Sequence, residues 1–425
     1  MSAIIKQLSF CTVRKPMRTT FVTALGSKSV ATSVLVTVGL KGGLAGVGEV
    51  PTSFVMPHET VAAISAILRE ARGVLVGRSI EDYQAVLAGL RKSHESFHMT
   101  LAGLEVALFR AALAWRGQGE LAHWGGKNTR IETDITIPFL PDLVVLRAWL
   151  AKIAPVGFNT YKVKVSGKVP QDLTFVKAIH QWLSENCACR GRLAREVTNV
   201  SQGLAASQKL GIERCRPIVA RPGSRKREKT EGETPSGRMG ETPMPRKDAG
   251  ETPATQPATQ FTIRLDGNQG YTAASAMRML EKLDKARIGV ELFEQPLHKD
   301  DHAGLRELTA CCPVPVILDE TVFEPDQCRH AIEHGLGHGV NIKIAKSGIA
   351  RSAAILKLAR RAKWKLMIGC MTETLTGLSA GINMAAGTGA FDYIDLDSAH
   401  LLSIRRACPG LRCQGPVYLL EDRSC

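Results

Sequence analysis

FTIRLDGNQGYTAASAMRMLEKLDKARIGVELFEQPLHKDDHAGLRELTACCPVPVILDE, residues 261–320, decides the fold. It reads as strand, helix, strand, helix, strand. Phe261–Asp266, Val290–Glu294 and Val314–Asp319 are short and mostly apolar, as buried strands are. Thr272–Ala286 and Ala303–Cys311 repeat apolar residues at three and four, as helices with one buried face do. The strand ends keep an even pace: Asp266 to Glu294, Glu294 to Asp319 and Asp319 to Lys343 are 28, 25 and 24 residues. Working outward, strand-like runs recur at Asp134–Phe139, Thr160–Val165, Val340–Ile344, Lys365–Gly369 and, more weakly, Asp392–Asp395. Helical stretches such as Leu140–Ala154 and Arg351–Ala362 lie between most of them. About eight such alternations predict a parallel barrel. A doubly wound open sheet should carry a glycine fingerprint after its first strand, and that is missing.

One interval is out of step. Lys164 to Asp266 spans 102 residues, and removing 188–260 leaves 29, which restores the rhythm. Gly-Glu-Thr-Pro occurs there three times, from Gly232, Gly240 and Gly250. The stretch is poor in apolar residues, so 188–260 reads as an insertion with at least 221–260 disordered. It follows a helix (Gln171–Glu185) and precedes a strand, which in a barrel puts it on the face away from the chemistry.

Residues 1–130 read as a separate α+β domain. Ala3–Val13 and Ser33–Val38 suit strands, and Glu59–Val74, Ile80–Ser93 and Thr100–Trp115 have helical periodicity. Leu40 to Glu49 is rich in glycine. A phosphate loop needs its glycines between a strand and a helix, whereas these sit between two strand-like runs and predict a hairpin. The barrel domain is 131–390, and 391–425 holds the last strand and a segment expected to pack back on the first domain.

The 425 residues suggest two or three domains, and 44% hydrophobic content supports a sizeable core. Aromatics at 5% argue against a stacking platform for single-stranded nucleic acid. No apolar run approaches the roughly 18 residues of a membrane span. Eleven scattered cysteines read as reduced thiols in a cytoplasm, and Cys187-Ala188-Cys189 lacks the second pair a zinc site needs. Of the net charge of +15, residues 190–260 contribute 14 Lys/Arg against 8 Asp/Glu. A basic surface does not by itself identify a nucleic-acid binder.

The strand ends carry the chemistry. In order they give Lys162 and Lys164, Asp266 and Asn268, Glu294, Asp319 and Glu320, then Lys343. Catalytic residues of a parallel barrel sit at these ends. Lys162 and Lys164 are two apart on a strand and share a face. Three carboxylates on successive strands can converge on one cation, and all-oxygen ligation suits Mg²⁺.

Tyr-Lys-Val-Lys-Val (161–165), Leu-Asp-Gly-Asn-Gln-Gly (265–270), Phe-Glu-Gln-Pro (293–296), Leu-Asp-Glu-Thr (318–321), Asn-Ile-Lys-Ile-Ala-Lys-Ser-Gly (341–348) and Ile-Gly-Cys-Met-Thr-Glu-Thr (368–374) together resemble the enolase superfamily in its muconate-lactonizing branch. The likeness covers the chain except 188–260. It implies a (β/α)₇β TIM-like barrel with an N-terminal α+β capping domain. By that resemblance one Mg²⁺ per subunit is held by Asp266, Glu294 and Asp319. Lys164 and Lys343 form an acid/base pair on opposite faces of the substrate carbon, with Lys162 in support and Asn268, Glu320 and Lys346 behind these groups. The physics agrees with those roles. Taking the proton next to a carboxylate builds a second negative charge, which a divalent cation stabilises; the handling of enediolates by enolase-superfamily sites is an established example. A lysine base needs its pKa lowered, and Lys162, the cation and burial are expected to lower it. One lysine per face permits inversion.

Ile394-Asp395-Leu396-Asp397-Ser398 looks like the Asp-x-Asp motif of the dipeptide epimerases, whose two carboxylates hold the substrate's α-ammonium. On that match Asp395 and Asp397 take this role, and Glu373 joins them as a substrate-binding residue. An acidic loop facing water is the plain alternative. Gly26 stands where Ala-Glu epimerases carry an arginine, which leaves the dipeptide open, with Lys28 as a substitute cation. Residues 20–30 and 49–58 are expected to cover the site. The implied activity is Mg²⁺-dependent epimerisation at the α-carbon of a dipeptide's C-terminal residue. A muconate cycloisomerase or o-succinylbenzoate synthase-like enzyme on the same scaffold is the nearest rival; binding of an anionic polymer through the basic insertion is a remote one. Members often self-associate, so a homo-oligomer is compatible with the likeness.

Overall fold

The computed structural model describes residues 2–23, 26–140, 142–186, 261–403 and 408–421, and the predicted insertion at 188–260 lies outside them. Strands β1 (Ile5–Thr23), β2 (Gly26–Leu40) and β3 (Ala45–Pro51) form an antiparallel sheet in that order. The glycine-rich stretch is the predicted hairpin between β2 and β3. Its glycines have a further use. A Cβ on Gly48 would lie 2.0 Å from Gly103 O, and one on Gly46 would lie 2.1 Å from Ala107 O. Only glycine lets β3 meet the backbone of the helix behind it. That helix belongs to the set α1 (Val61–Leu75), α2 (Tyr83–Ser93), α3 (His98–Arg116) and the short α4 (Glu120–His123). α3 is the one that packs on β3, and it is buried almost all round. α1 is amphipathic: Thr60 caps it by accepting from Ala63 N at 3.2 Å, and Ile64, Leu68 and Leu75 line its inner face.

β1 and β2 run well past the predicted ends. The extra length carries Arg14, Lys15, Arg18 and Thr20 and contains a register shift between Pro16 and Phe21. A ribbon with both faces largely in water needs no apolar alternation, so its sequence does not announce a strand.

Strand β4 (Arg130–Glu132) leads into the barrel. The barrel strands are β5 (Ile135–Ile137), β6 (Thr160–Lys164), β7 (Thr262–Asp266), β8 (Phe293–Glu294), β9 (Val316–Leu318), β10 (Gly339–Lys343), β11 (Lys365–Gly369) and β12 (Tyr393–Asp395). They pair in sequence order, and each ladder is parallel. The outer strands meet where Asp134 N donates to Ile394 O at 3.4 Å. The helices between them are α5 (Leu143–Ile153), α6 (169–186), α7 (Ala273–Lys285), α8 (His302–Cys311), α9 (Pro325–Glu333), α10 (Ile344–Arg361) and α11 (Leu375–Thr388), followed by α12 (Ser398–Leu401). This is a TIM-like barrel with a separate antiparallel capping sheet, as predicted. Strands β13 (Leu411–Gln414) and β14 (Val417–Leu420) pair with β4. Leu402 bridges Met17, and Ser403 N donates to Pro16 O at 3.0 Å, so the C-terminal segment also touches β1.

α10 starts seven residues before its predicted Arg351, directly after Lys343, and contains a non-helical residue, Gly348, at φ 75° and ψ −174°. Glu105 of α3 reaches this break. It accepts from Ala350 N at 2.9 Å and pairs with Arg91 at 2.5 Å. A Cβ on Gly348 would lie 2.0 Å from Glu105 Oε2.

Candidate active site

Burying an aliphatic side chain inside a barrel contributes about 1.5–3 kcal/mol. β6 forgoes this twice, placing Lys162 and Lys164 inward at 3% and 7% exposure. Buried ammonium groups persist only when paired, and the ends of the neighbouring strands supply the partners. Lys164 pairs with Asp266, its register partner on β7. Lys162 pairs with Asp395 at the end of β12 and reaches Glu294 at 3.3 Å and Asp266 at 3.7 Å. Lys343, from β10, lies 2.6 Å from Asp319 and 3.7 Å from Glu294. Lys346 donates to Asp319 Oδ1 at 2.7 Å and to its carbonyl at 2.6 Å.

The structure therefore links Asp266, Glu294 and Asp319 into one buried chain of charge: Lys164 pairs with Asp266, Lys162 bridges Asp266 and Glu294, Lys343 bridges Glu294 and Asp319, and Lys346 pairs with Asp319 at the far end. β6 and β10 are separated by the three carboxylate-bearing strand ends, so the two amines approach from different sides. Asn341 lies inside one of the sequence motifs, yet the sequence assigns it no role; its Nδ2 donates to Glu294 Oε1 at 2.6 Å. Gln295 holds the next strand end, its Oε1 accepting from Asp319 N at 2.8 Å.

Asp395 and Asp397 are 1% and 3% exposed, which rejects the acidic loop facing water. Thr136 N donates to Asp397 Oδ2 at 2.6 Å, across 261 residues of sequence. Asp395 and Asp397 line a cavity with Lys162, Lys164, Asn268, Asp319, Glu320, Lys343 and Cys370. Phe21, Lys28, Ser53, Phe54 and Val55 of the capping domain line it too, within the two expected covering segments. Lys28 Nζ lies 3.5 Å from Thr52 O and 5.8 Å from the Phe54 ring centroid. Burial lowers its pKa to about 8.

Glu373 corrects an expectation. Its Oε2 accepts from Met371 N at 3.1 Å. A Cβ on Gly377 would meet both Glu373 Oε1, at 2.5 Å, and Glu49 Oε2, at 3.1 Å, so the two carboxyls face one spot at the start of α11. Glu49 caps that helix by accepting from Thr374 N at 3.0 Å and Gly377 N at 3.0 Å. The Glu373 side chain does not line the cavity. Burial, then Glu49, pushes its carboxyl up to about 8. The sequence motif that resembles the epimerases is here an interdomain contact.

The carboxylates also set the charge state of two of the lysines. Burial disfavours the charged form of Lys343, but Asp319 and Glu294 outweigh it and raise its pKa. Lys162 behaves alike: burial is overcome by Asp395, Glu294 and Asp266, and its pKa stands well above the usual value. Burial likewise opposes ionisation of Asp266 and Asp319, yet their lysines hold both below the usual carboxylate range. Burial, then Asp319, pushes Glu320 up to about 8.

The donor set fits a divalent cation. Six carboxylates (Asp266, Glu294, Asp319, Glu320, Asp395, Asp397) face four lysines (Lys162, Lys164, Lys343, Lys346), a formal surplus of two negative charges. Asn268 Oδ1, Glu320 Oε2 and Asn341 Oδ1 are buried acceptors with no donor among the described residues. Hard oxygen ligands and unfilled acceptors suit Mg²⁺ and its water. Among the described residues, the carboxylates within 4.8 Å of one another are a different trio, Asp134, Asp395 and Asp397. Arg264 already holds Asp134 at 2.7 Å and Lys162 holds Asp395, so that trio suits a monovalent cation such as an ammonium better.

Residues 232–411 match the family described as enolase C-terminal domain-like. An aromatic dipeptide epimerase of Herpetosiphon aurantiacus is 27% identical over 99% of this chain and 98% of its own. A mandelate racemase/muconate lactonizing protein of the same species superposes with a TM-score of 0.77 at 25% identity, covering 99% of this chain and 97% of that one. A dipeptide epimerase from Enterococcus faecalis, solved with Mg and the dipeptide L-Leu-L-Tyr, shares the fold with a TM-score of 0.75 at 21% identity, covering 98% and 97%. Strand-end residues, two-part fold and these likenesses agree: the chain is similar to proteins of the enolase superfamily and, among them, to dipeptide epimerases.

Proposed function

We propose that the chain is a Mg²⁺-dependent dipeptide epimerase, an isomerase that inverts the α-carbon of the C-terminal residue by two-base 1,1-proton transfer. The observation that carries this reading is the buried row in which Asp266, Glu294 and Asp319 are joined by Lys162 and Lys343, with Lys164 on Asp266 and with Asp395 and Asp397 on the wall of the same cavity. Asp266, Glu294 and Asp319 would hold the cation, which supplies positive charge against the second negative charge that builds on the substrate carboxylate. With those carboxylates so engaged, less negative charge is left to hold Lys343 protonated, which is the direction a base requires. Lys164 and Lys343 take and return the α-proton from opposite faces, so delivery from the far side inverts the carbon. Asp395 and Asp397 accept hydrogen bonds from the substrate ammonium, and Lys162 pairs with Asp395. Asn268, Glu320 and Lys346 support the row. Phe21 and Phe54 form an apolar part of the cavity wall and Lys28 a charged part. We place the enzyme in the cytoplasm: Cys11, Cys311, Cys312, Cys328, Cys370 and Cys408 are free thiols. Among the described residues no helix is long and apolar enough to cross a membrane.

The test is hydrogen exchange. Purified protein with Mg²⁺ in D₂O should replace the α-hydrogen of the C-terminal residue in members of a dipeptide library, and chelation should stop it. No exchange across a broad library would sink the reading. Asp397→Asn separates the rivals: it should cripple an epimerase and leave a cycloisomerase, which needs no ammonium clamp, largely active.

A further inference from the structure

We infer that Asp134 is a positioning residue for the ammonium-binding carboxylates, held as a neutral acid whose O–H hydrogen-bonds Asp395 from behind the cavity. This rests on the epimerase reading for its role, though not for its chemistry. Asp134 stands one residue before β5, and Asp395 ends β12, where the barrel closes. Carboxylate oxygens of Asp134, Asp395 and Asp397 lie within 4.8 Å of one another. All three side chains are buried, at 1%, 1% and 3%. One oxygen of each is accounted for. Arg264 Nη1 donates to Asp134 Oδ2 at 2.7 Å, Lys162 to Asp395 Oδ2, and Thr136 N to Asp397 Oδ2 at 2.6 Å. The other oxygens of the first two, Asp134 Oδ1 and Asp395 Oδ1, are buried with no donor among the described residues.

Buried carboxylates whose oxygens approach within 4.8 Å repel, and a proton carried by one of them relieves the repulsion and turns an unmet acceptor into a donor for its neighbour. The charge count points the same way. Three aspartates face two cations, Arg264 and Lys162, and Arg264 is shared with Glu291 at 2.6 Å. Asp134 is the member to carry the proton. Asp395 has the ammonium of Lys162 directly upon it, and Asp397 lines the cavity, whereas Asp134 does not. Burial, then Asp395, raises the Asp134 carboxyl well above its ordinary value. The groups facing it are Asp395 and Asp397 after β11, Arg264 on β7 and Lys162 on β6, with Glu291 beyond Arg264 and Cys370 beside Asp397. So held, Asp395 has one oxygen fixed by Lys162 and the other by Asp134, and its remaining lone pairs join Asp397 toward the substrate.

Infrared difference spectra of the full chain with Mg²⁺ test this without turnover. At neutral pH, wild type minus Asp134→Asn should show the carbonyl stretch of a protonated carboxylic acid. Its absence overturns the proposal. In the epimerase assay, Asp134→Leu, which lacks a donor, should raise KM about tenfold more than Asp134→Asn, which keeps one, with kcat changing less. Equal damage from both overturns the positioning role. If neither variant folds, Asp395→Asn should shift the same band, and an unmoved band overturns the pairing. The band can be read even if no dipeptide is turned over, so its failure is distinct from failure of the epimerase reading.

Discussion

In the proposed reaction Lys164 and Lys343 divide one task between two faces of a carbon, and the division can be read separately from the rate. Lys164→Ala and Lys343→Ala should each lower epimerisation by about 10²–10⁴-fold, the usual contribution of one acid/base group. Each variant should still exchange the α-hydrogen of one epimer with D₂O, and the two should favour opposite epimers. NMR of separately supplied epimers checks this; exchange of the same epimer by both variants would place the amines on one side. These two lysines and the three carboxylates are legible in the sequence because each sits at a strand end, where the barrel exposes polar groups, whereas Asp395 and Asp397 are read only through their likeness to a known motif. Thr136, Asn341 and Asp134 are not legible. Their importance comes from partners 261, 47 and 130 residues away, which only the closed barrel brings near.

At the scale of elements, the start of α11 joins barrel to cap through two buried carboxyls, Glu373 and Glu49. Glu373 has its folded pKa raised to about 8, by burial and then by Glu49. The folded state therefore holds a proton that the unfolded chain has released. This group's contribution is complete below its unfolded value and is lost as pH rises through about 8. The melting temperature should fall as pH rises from about 5 to about 8, and Glu373→Gln should flatten that fall. A scan in which the variant keeps the full slope would remove Glu373 as its cause. From sequence the segment reads as part of the substrate site, because a motif likeness marks position and not the direction a side chain takes. The long β1–β2 ribbon escapes for another reason. Its outer half buries little, so it lacks the alternation by which strands are recognised, although Phe21 and Lys28 within it line the cavity.

At the scale of the molecule, the barrel rhythm makes a prediction about residues 188–260. The spacing of strand ends becomes regular once they are removed, so a short linker in their place should leave α-hydrogen exchange within a few-fold of the full chain. Loss of exchange from a deletion variant that is folded by circular dichroism would show that the stretch is needed for activity. The same experiment separates the epimerase from an anionic-polymer binder, whose salt-sensitive RNA binding would vanish with the basic stretch. Gly348 carries a consequence of its own. Glu105 of the capping domain fits against this bare α-carbon, five residues past the lysine that ends β10. A methyl group at this position would push the Glu105 carboxyl off its seat, so Gly348→Ala would loosen the cap's grip on the barrel directly behind Lys343.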